Sequence, residues 1–113
     1  NAIKKTMFSL EERLQFIEEA FEGTDKIKVK SYSGLTAQFC LEEDAQFLIR
    51  GLRNSTDLNY EAPIAQTNYK IASVDTIFLI SSPEVSNISS TIVRDILQNG
   101  GDYSSLVPSS VIL

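Results

Sequence analysis

Apolar residues near the start of the chain recur at helical spacing. Leu10, Leu14, Ile17 and Phe21 fall every three or four positions, with Glu11, Glu18, Glu19 and Glu22 between them. That is the pattern of a helix with one packed face. Ser9 and Glu12 form a capping box at its start, and Gly23 suits its end. The spacing predicts a helix over Ser9–Glu22. The period then drops to two. Lys26, Ile27, Lys28, Val29 and Lys30 alternate strictly, which predicts a strand over Lys26–Ser31 with one buried and one lysine-bearing face. Ser33-Gly34 opens a second helix running to about Asp44, with Leu35, Phe39 and Cys40 expected inward. Glu42, Glu43 and Asp44 at its end oppose the helix dipole.

Phe47–Ile49 is short and apolar, and Asp75–Ile80 is similar and longer. Strands apolar on both faces suit a parallel sheet covered on both sides. Between them, Asp57 to about Ile71 reads as a helix that Pro63 should kink or break, because proline lacks a donor and clashes one turn back. A last helix runs from Ser89 or Ser90 to Asn99 and stops at Gly100-Gly101. Alternating helices and strands predict an α/β sheet with right-handed crossovers. Three strands make a thin sheet, which one or two further N-terminal strands would repair.

The 113 residues suit a single domain over 1–113. Hydrophobic residues at 42% and charged residues at 22% are ordinary for a folded protein. A net charge of −5 disfavours nucleic acid and anionic membrane surfaces as partners. No run approaches the ~18 apolar residues of a membrane-spanning helix. Cys40 is the single cysteine, which suits a reducing cytoplasm. The chain has no histidine, so histidine-dependent triads, dyads and zinc sites cannot be built from it. It opens on Asn1 rather than methionine, as an internal piece of a longer protein would.

Ligands of open α/β sheets bind where strands end and helices begin. Arg50-Gly51-Leu52-Arg53 follows the first apolar strand. Two guanidiniums flanking a glycine suit a phosphate, or are two solvated surface arginines. Ser81-Ser82-Pro83-Glu84 through Ile88-Ser89-Ser90-Thr91 follows the second strand. Its hydroxyls suit an anion at a helix start, or are plain N-caps. Lys4-Lys5 and the acids Glu42–Asp44 read as solvated charge. Asp57 reads as a helix N-cap, and Cys40 as core.

Taken in order, these segments resemble one family. Lys4–Arg13 resembles the KKxxFSLEER stretch of bacterial phosphopantetheine adenylyltransferases. Ser31–Thr36 resembles their SxSGLxxDF turn. Arg50-Gly51-Leu52-Arg53 with Asp57, Tyr60 and Glu61 resembles RGLRxxxDFxYE. Ile88–Arg94 resembles ISSSLVRE, and Gly100-Gly101-Asp102 the GGD that follows. Each motif is weak alone, but the ordered set spans nearly the whole chain.

The resemblance implies a Rossmann-like nucleotidyltransferase fold, a parallel sheet flanked by helices, with the first strands absent from this chain. It implies transfer of an adenylyl group from ATP to 4′-phosphopantetheine, giving dephospho-coenzyme A and pyrophosphate, with Mg²⁺ as cofactor and a homohexamer as the assembly. Residue by residue, Lys4, Thr36 and Arg50 match substrate-binding positions. Gly51, Leu52, Arg53 and Glu61 match ATP-contacting positions. Ser86, Ile88, Ser89, Ser90 and Thr91 match the segment that holds adenine and phosphates.

There are departures. The family's GSFDPxTxGH segment and its catalytic histidine are absent, so no catalytic residue is assigned here and the chain alone is expected to be weakly active. Val85 and Asn87 stand where aromatics are usual, and Pro63 where no proline is usual. The other reading is a catalytically incomplete nucleotide-binding module serving assembly or regulation. A related enzyme with a different phosphate acceptor is disfavoured by Ser33–Thr36 and Arg50.

Overall fold

A computed structural model describes residues 6–112. They gather into two compact units, one formed by Gly34–Asn87 and the other by the segments on either side of it.

The Gly34–Asn87 unit holds the sheet. Strand β1 (Phe47–Leu52) lies parallel to strand β2 (Asp75–Ile80), with Phe47 opposite Asp75 and Leu52 opposite Ile80. Helix α2 (Thr36–Glu42) precedes β1 and helix α3 (Ser55–Ala72) links the strands. Strand–helix–strand joining parallel neighbours is the expected unit of an α/β fold. α3 packs on both strands and on α2. The small core sits at these junctions, with Ala37 and Cys40 of α2, Leu52 of β1 and Val74 before β2 all buried.

Several boundaries differ from those the sequence suggests. β1 does not stop at Ile49. It continues through Arg50 and Gly51 because each residue to Leu52 pairs with β2, and the Ser81 amide extends the ladder by donating to the Leu52 carbonyl. α3 begins at Ser55 rather than Asp57 and is not broken at Pro63. Leu35 does not turn inward; it is 68% exposed as the residue before α2. Within this unit the sheet is covered by helix on one face only. Leu48 and Phe78 are half-buried on the face that α3 packs against, whereas Phe47, Ile49, Ile77 and Leu79 on the other face are exposed.

In the other unit, helix α1 (Leu10–Ala20) is capped by Ser9, whose hydroxyl accepts the Glu12 amide at 3.1 Å. The Phe8 and Phe16 rings meet edge to face at 5.1 Å. The Ser110 hydroxyl donates to the Phe16 carbonyl at 2.8 Å, tying the 3₁₀ turn Ser109–Val111 to α1. Lys26–Ser31 forms no strand. The only sheet among the described residues is the β1–β2 pair, so the alternating segment enters no ladder. Alternation shows which faces differ, but a strand also requires a neighbour. Helix α4 (Ser90–Gln98) starts at the Ser89 cap, and Gly100 follows its C-cap Asn99 at φ +74°.

Candidate functional site

The C-terminal end of β1 and the start of α3 bring five of the sequence-selected residues together. Arg50 lies in β1 and Glu61 two turns into α3. The guanidinium grips the carboxylate with two bonds, Nε to Oε2 at 3.2 Å and Nη2 to Oε1 at 2.5 Å. The Glu61 side chain is only 13% exposed and that of Arg50 is 55% exposed. A bidentate fork of this kind fixes orientation as well as charge. Gly51 and Leu52 complete the strand, and Arg53 is the first residue beyond it.

Arg53 has a partner that sequence reading missed. Asn54 caps α3, its side-chain oxygen accepting the Asp57 amide at 2.9 Å. Asp57 is therefore the third helical residue and not the cap. Its carboxylate reaches back, and one oxygen, Oδ2, accepts both the Arg53 backbone amide at 2.9 Å and Arg53 Nε at 3.3 Å. The Arg53 amide, more than its side chain, holds the Asp57 carboxyl below its ordinary value. The missed signal was the four-residue spacing between Arg53 and Asp57, which places opposite charges together at a helix start.

Thr36 is the first residue of α2, preceded by Gly34 at φ +91°, a backbone state that glycine adopts without strain. Ser86 lies in the turn after β2, where its hydroxyl donates to the Pro83 carbonyl at 3.2 Å. Glu84 in this turn has its carboxyl pulled down, first by its own backbone amide and then by the Ser82 hydroxyl. A shallow concavity lined by Ala65, Gln66, Tyr69, Asp75 and Thr76 opens at the N-terminal end of β2. That is the opposite strand end from Arg50–Arg53.

Ile88, Ser89, Ser90 and Thr91 belong to the other unit. Ser89 caps α4 by accepting the Ile92 amide at 3.3 Å. The first turn of α4 contains no acid, and Arg94 donates to the Thr91 hydroxyl at 3.3 Å. The amides of Ser90 and Thr91 precede the first intrahelical bond, so this end combines a positive dipole with a nearby cation. Lys4, a sequence-selected substrate residue, lies outside the described residues.

Parallel strands joined by a crossover helix, with arginines at a strand's C-terminal end, define an α/β protein of the layered-sheet class. The cytidylyltransferase-like family model matches residues 1–96. A phosphopantetheine adenylyltransferase of Christiangramia forsetii is 50% identical over 98% of this chain and 74% of its own length. The enzyme of the same name from Flavobacterium psychrophilum gives the same figures. That from Cytophaga hutchinsonii is 46% identical over 98% of this chain and 75% of its own length. The chain belongs to the phosphopantetheine adenylyltransferase family, within the cytidylyltransferase-like proteins.

Proposed function

We propose that the protein carrying this chain transfers the adenylyl group of ATP to 4′-phosphopantetheine. A phosphate oxygen of phosphopantetheine attacks the α-phosphorus of ATP. The new P–O bond forms as the bond to the β-phosphate breaks, and pyrophosphate leaves with those electrons. The observation that carries this reading is 50% identity over nearly the whole chain to relatives bearing that name.

No enzyme-bound intermediate is needed, so catalysis reduces to alignment and neutralisation of charge. Arg50, oriented by Glu61, takes the phosphopantetheine side together with Thr36 and Lys4. Arg53, with Gly51 and Leu52, takes the nucleotide phosphates. Ser86, Ile88 and the Ser89–Thr91 amides take adenine and phosphates. Each preorganised donor supplies a few kcal/mol, the cost of removing one from a comparable site. Glu61 serves the phosphopantetheine side through the Arg50 fork, in addition to the nucleotide contact that the resemblance implies for its position.

The family resemblance also supports Mg²⁺ as cofactor. Among the described residues no three Asp, Glu, Cys or His side chains group to hold a metal. When bound, the ion would supply neutralisation of the charge that develops on the ATP phosphates. A homohexamer and a cytoplasmic location complete the proposal. They rest on the resemblance and, for location, on a single buried cysteine. Among the described residues no helix is long and apolar enough to cross a membrane.

The test is pyrophosphate release from ATP with and without 4′-phosphopantetheine, with dephospho-coenzyme A identified by mass. Acceptor-dependent release with that product is expected. ATP binding with no product from this acceptor would instead mark a nucleotide-binding module without this activity.

A further inference from the structure

The Arg53 guanidinium is held by one edge only. Its Nε and its own backbone amide both reach Oδ2 of Asp57. Among the described residues its two terminal amines have no hydrogen-bond partner, and the side chain is 41% exposed. Asp57 is 24% exposed and is itself fixed, because its amide is bonded to the Asn54 cap. The chain thus closes a small reciprocal loop over Arg53, Asn54 and Asp57 at the first turn of α3. An arginine tethered at Nε keeps a planar pair of donors in one orientation, and that pair is the part that matches two phosphate oxygens.

We propose that Asp57 is a positioning residue for adenylyl transfer: it holds Arg53 with its terminal amines presented to the nucleotide phosphates. The proposal rests on the reading of Arg53 as an ATP-phosphate contact. Asp57 does not itself touch substrate. It shares the first turn of α3 with no other acid, so its charge also offsets the positive end of that helix. A phosphate at this junction is therefore bound by the arginine fork and not by the helix end. Without the tether, the long Arg53 side chain must be ordered when ATP binds, which lowers affinity without removing any direct contact.

The experiment is a double-mutant cycle on ATP affinity in the full protein, with Arg53→Ala, Asp57→Ala and the double variant. Asp57→Asn is added as a variant that retains an acceptor for the Arg53 amide. Thermal midpoints verify folding. Arg53→Ala is expected to weaken ATP binding tenfold or more, and Asp57→Ala about five- to tenfold. Asp57→Asn should fall between Asp57→Ala and the parent. In the Arg53→Ala background, Asp57→Ala should add less than twofold, and phosphopantetheine affinity should stay within twofold throughout. An equal loss from Asp57→Ala in both backgrounds would overturn the positioning role. So would unchanged ATP affinity in both Asp57 variants while Arg53→Ala is impaired. Unchanged affinity in Arg53→Ala itself would remove the reading of Arg53 and the inference with it, a pattern distinct from the other two. If Asp57→Ala does not fold, Asp57→Asn carries the same comparison.

Discussion

The starts of α3 and α4 are alike in sequence and opposite in electrostatics. Each is capped by a short polar residue, Asn54 or Ser89, accepting the amide three residues on. At α3 an acid enters the first turn, and its carboxylate is bound by Arg53. At α4 the first turn has no acid, and Arg94 leans on the Thr91 hydroxyl. The helix end of α3 is therefore already compensated by an acid, and the cations beside it are arginine side chains. The helix end of α4 retains its backbone donors. One polar cap before a helix is thus compatible with two different electrostatic settings, and the residue three places on decides which applies. Under the proposed function, the first would meet a phosphate through side chains and the second through backbone amides.

The largest expected effect lies at the arginines. Arg53→Ala should reduce ATP use by an order of magnitude or more, read as kcat/KM, while Thr91→Ala, which leaves the α4 amides in place, should reduce it only a few-fold. Equal losses would erase the distinction between side-chain and backbone recognition. Next comes the Arg50–Glu61 fork. Arg50→Ala leaves a mostly buried carboxylate without its guanidinium and should cost about 1–2 kcal/mol of stability, between the values for exposed and buried pairs. It should also raise KM for phosphopantetheine more than KM for ATP. Chemical denaturation and initial rates measure the two consequences separately.

Cap removal is smaller. Asn54→Ala and Ser89→Ala should each cost about 1 kcal/mol. Asn54→Ala should in addition weaken ATP binding, because it loosens the turn that carries Asp57. The smallest effect is the acid response. Asp57, Glu84 and Asp102 all have carboxyls held below their ordinary values, Asp102 by the Ser104 hydroxyl and amide. A carboxyl lowered on folding stabilises the protein fully above its unfolded value and loses that contribution as pH falls through the lowered one. Stability should accordingly decline as pH drops below about 4, where unfolded carboxylates begin to protonate. Asp57→Asn should flatten part of that decline, measurable as the urea midpoint between neutral and acid pH.

The sequence was most legible where local chemistry and pairing agree. Strand β2 has the bounds its apolar run suggests, and α4 starts and stops at Ser89 and before Gly100 as its caps imply. Legibility failed where a neighbour decides. Arg50 reads as the first residue after a strand, yet it lies opposite Phe78 within the ladder. Lys26–Ser31 alternates like a strand and has no strand pairing among the described residues. Pro63 reads as a kink or a break, yet the helix continues across it. The Thr67 hydroxyl bonds the Pro63 carbonyl there, and α3 also packs on β1 and β2. In the candidate site, the arginines and serines could be picked out by residue type and order. The Asp57 tether was signalled only by its four-residue spacing from Arg53, because an acid near a helix start has two roles and geometry separates them.

The most direct measurement is formation of dephospho-coenzyme A from ATP and 4′-phosphopantetheine by the protein carrying this chain, compared with its Arg53→Ala variant. Acceptor-dependent product from the parent, with at least a tenfold loss of kcat/KM for ATP in the variant, is the predicted result. Equal rates in the two proteins, or no product from the parent at saturating substrates, would contradict the account.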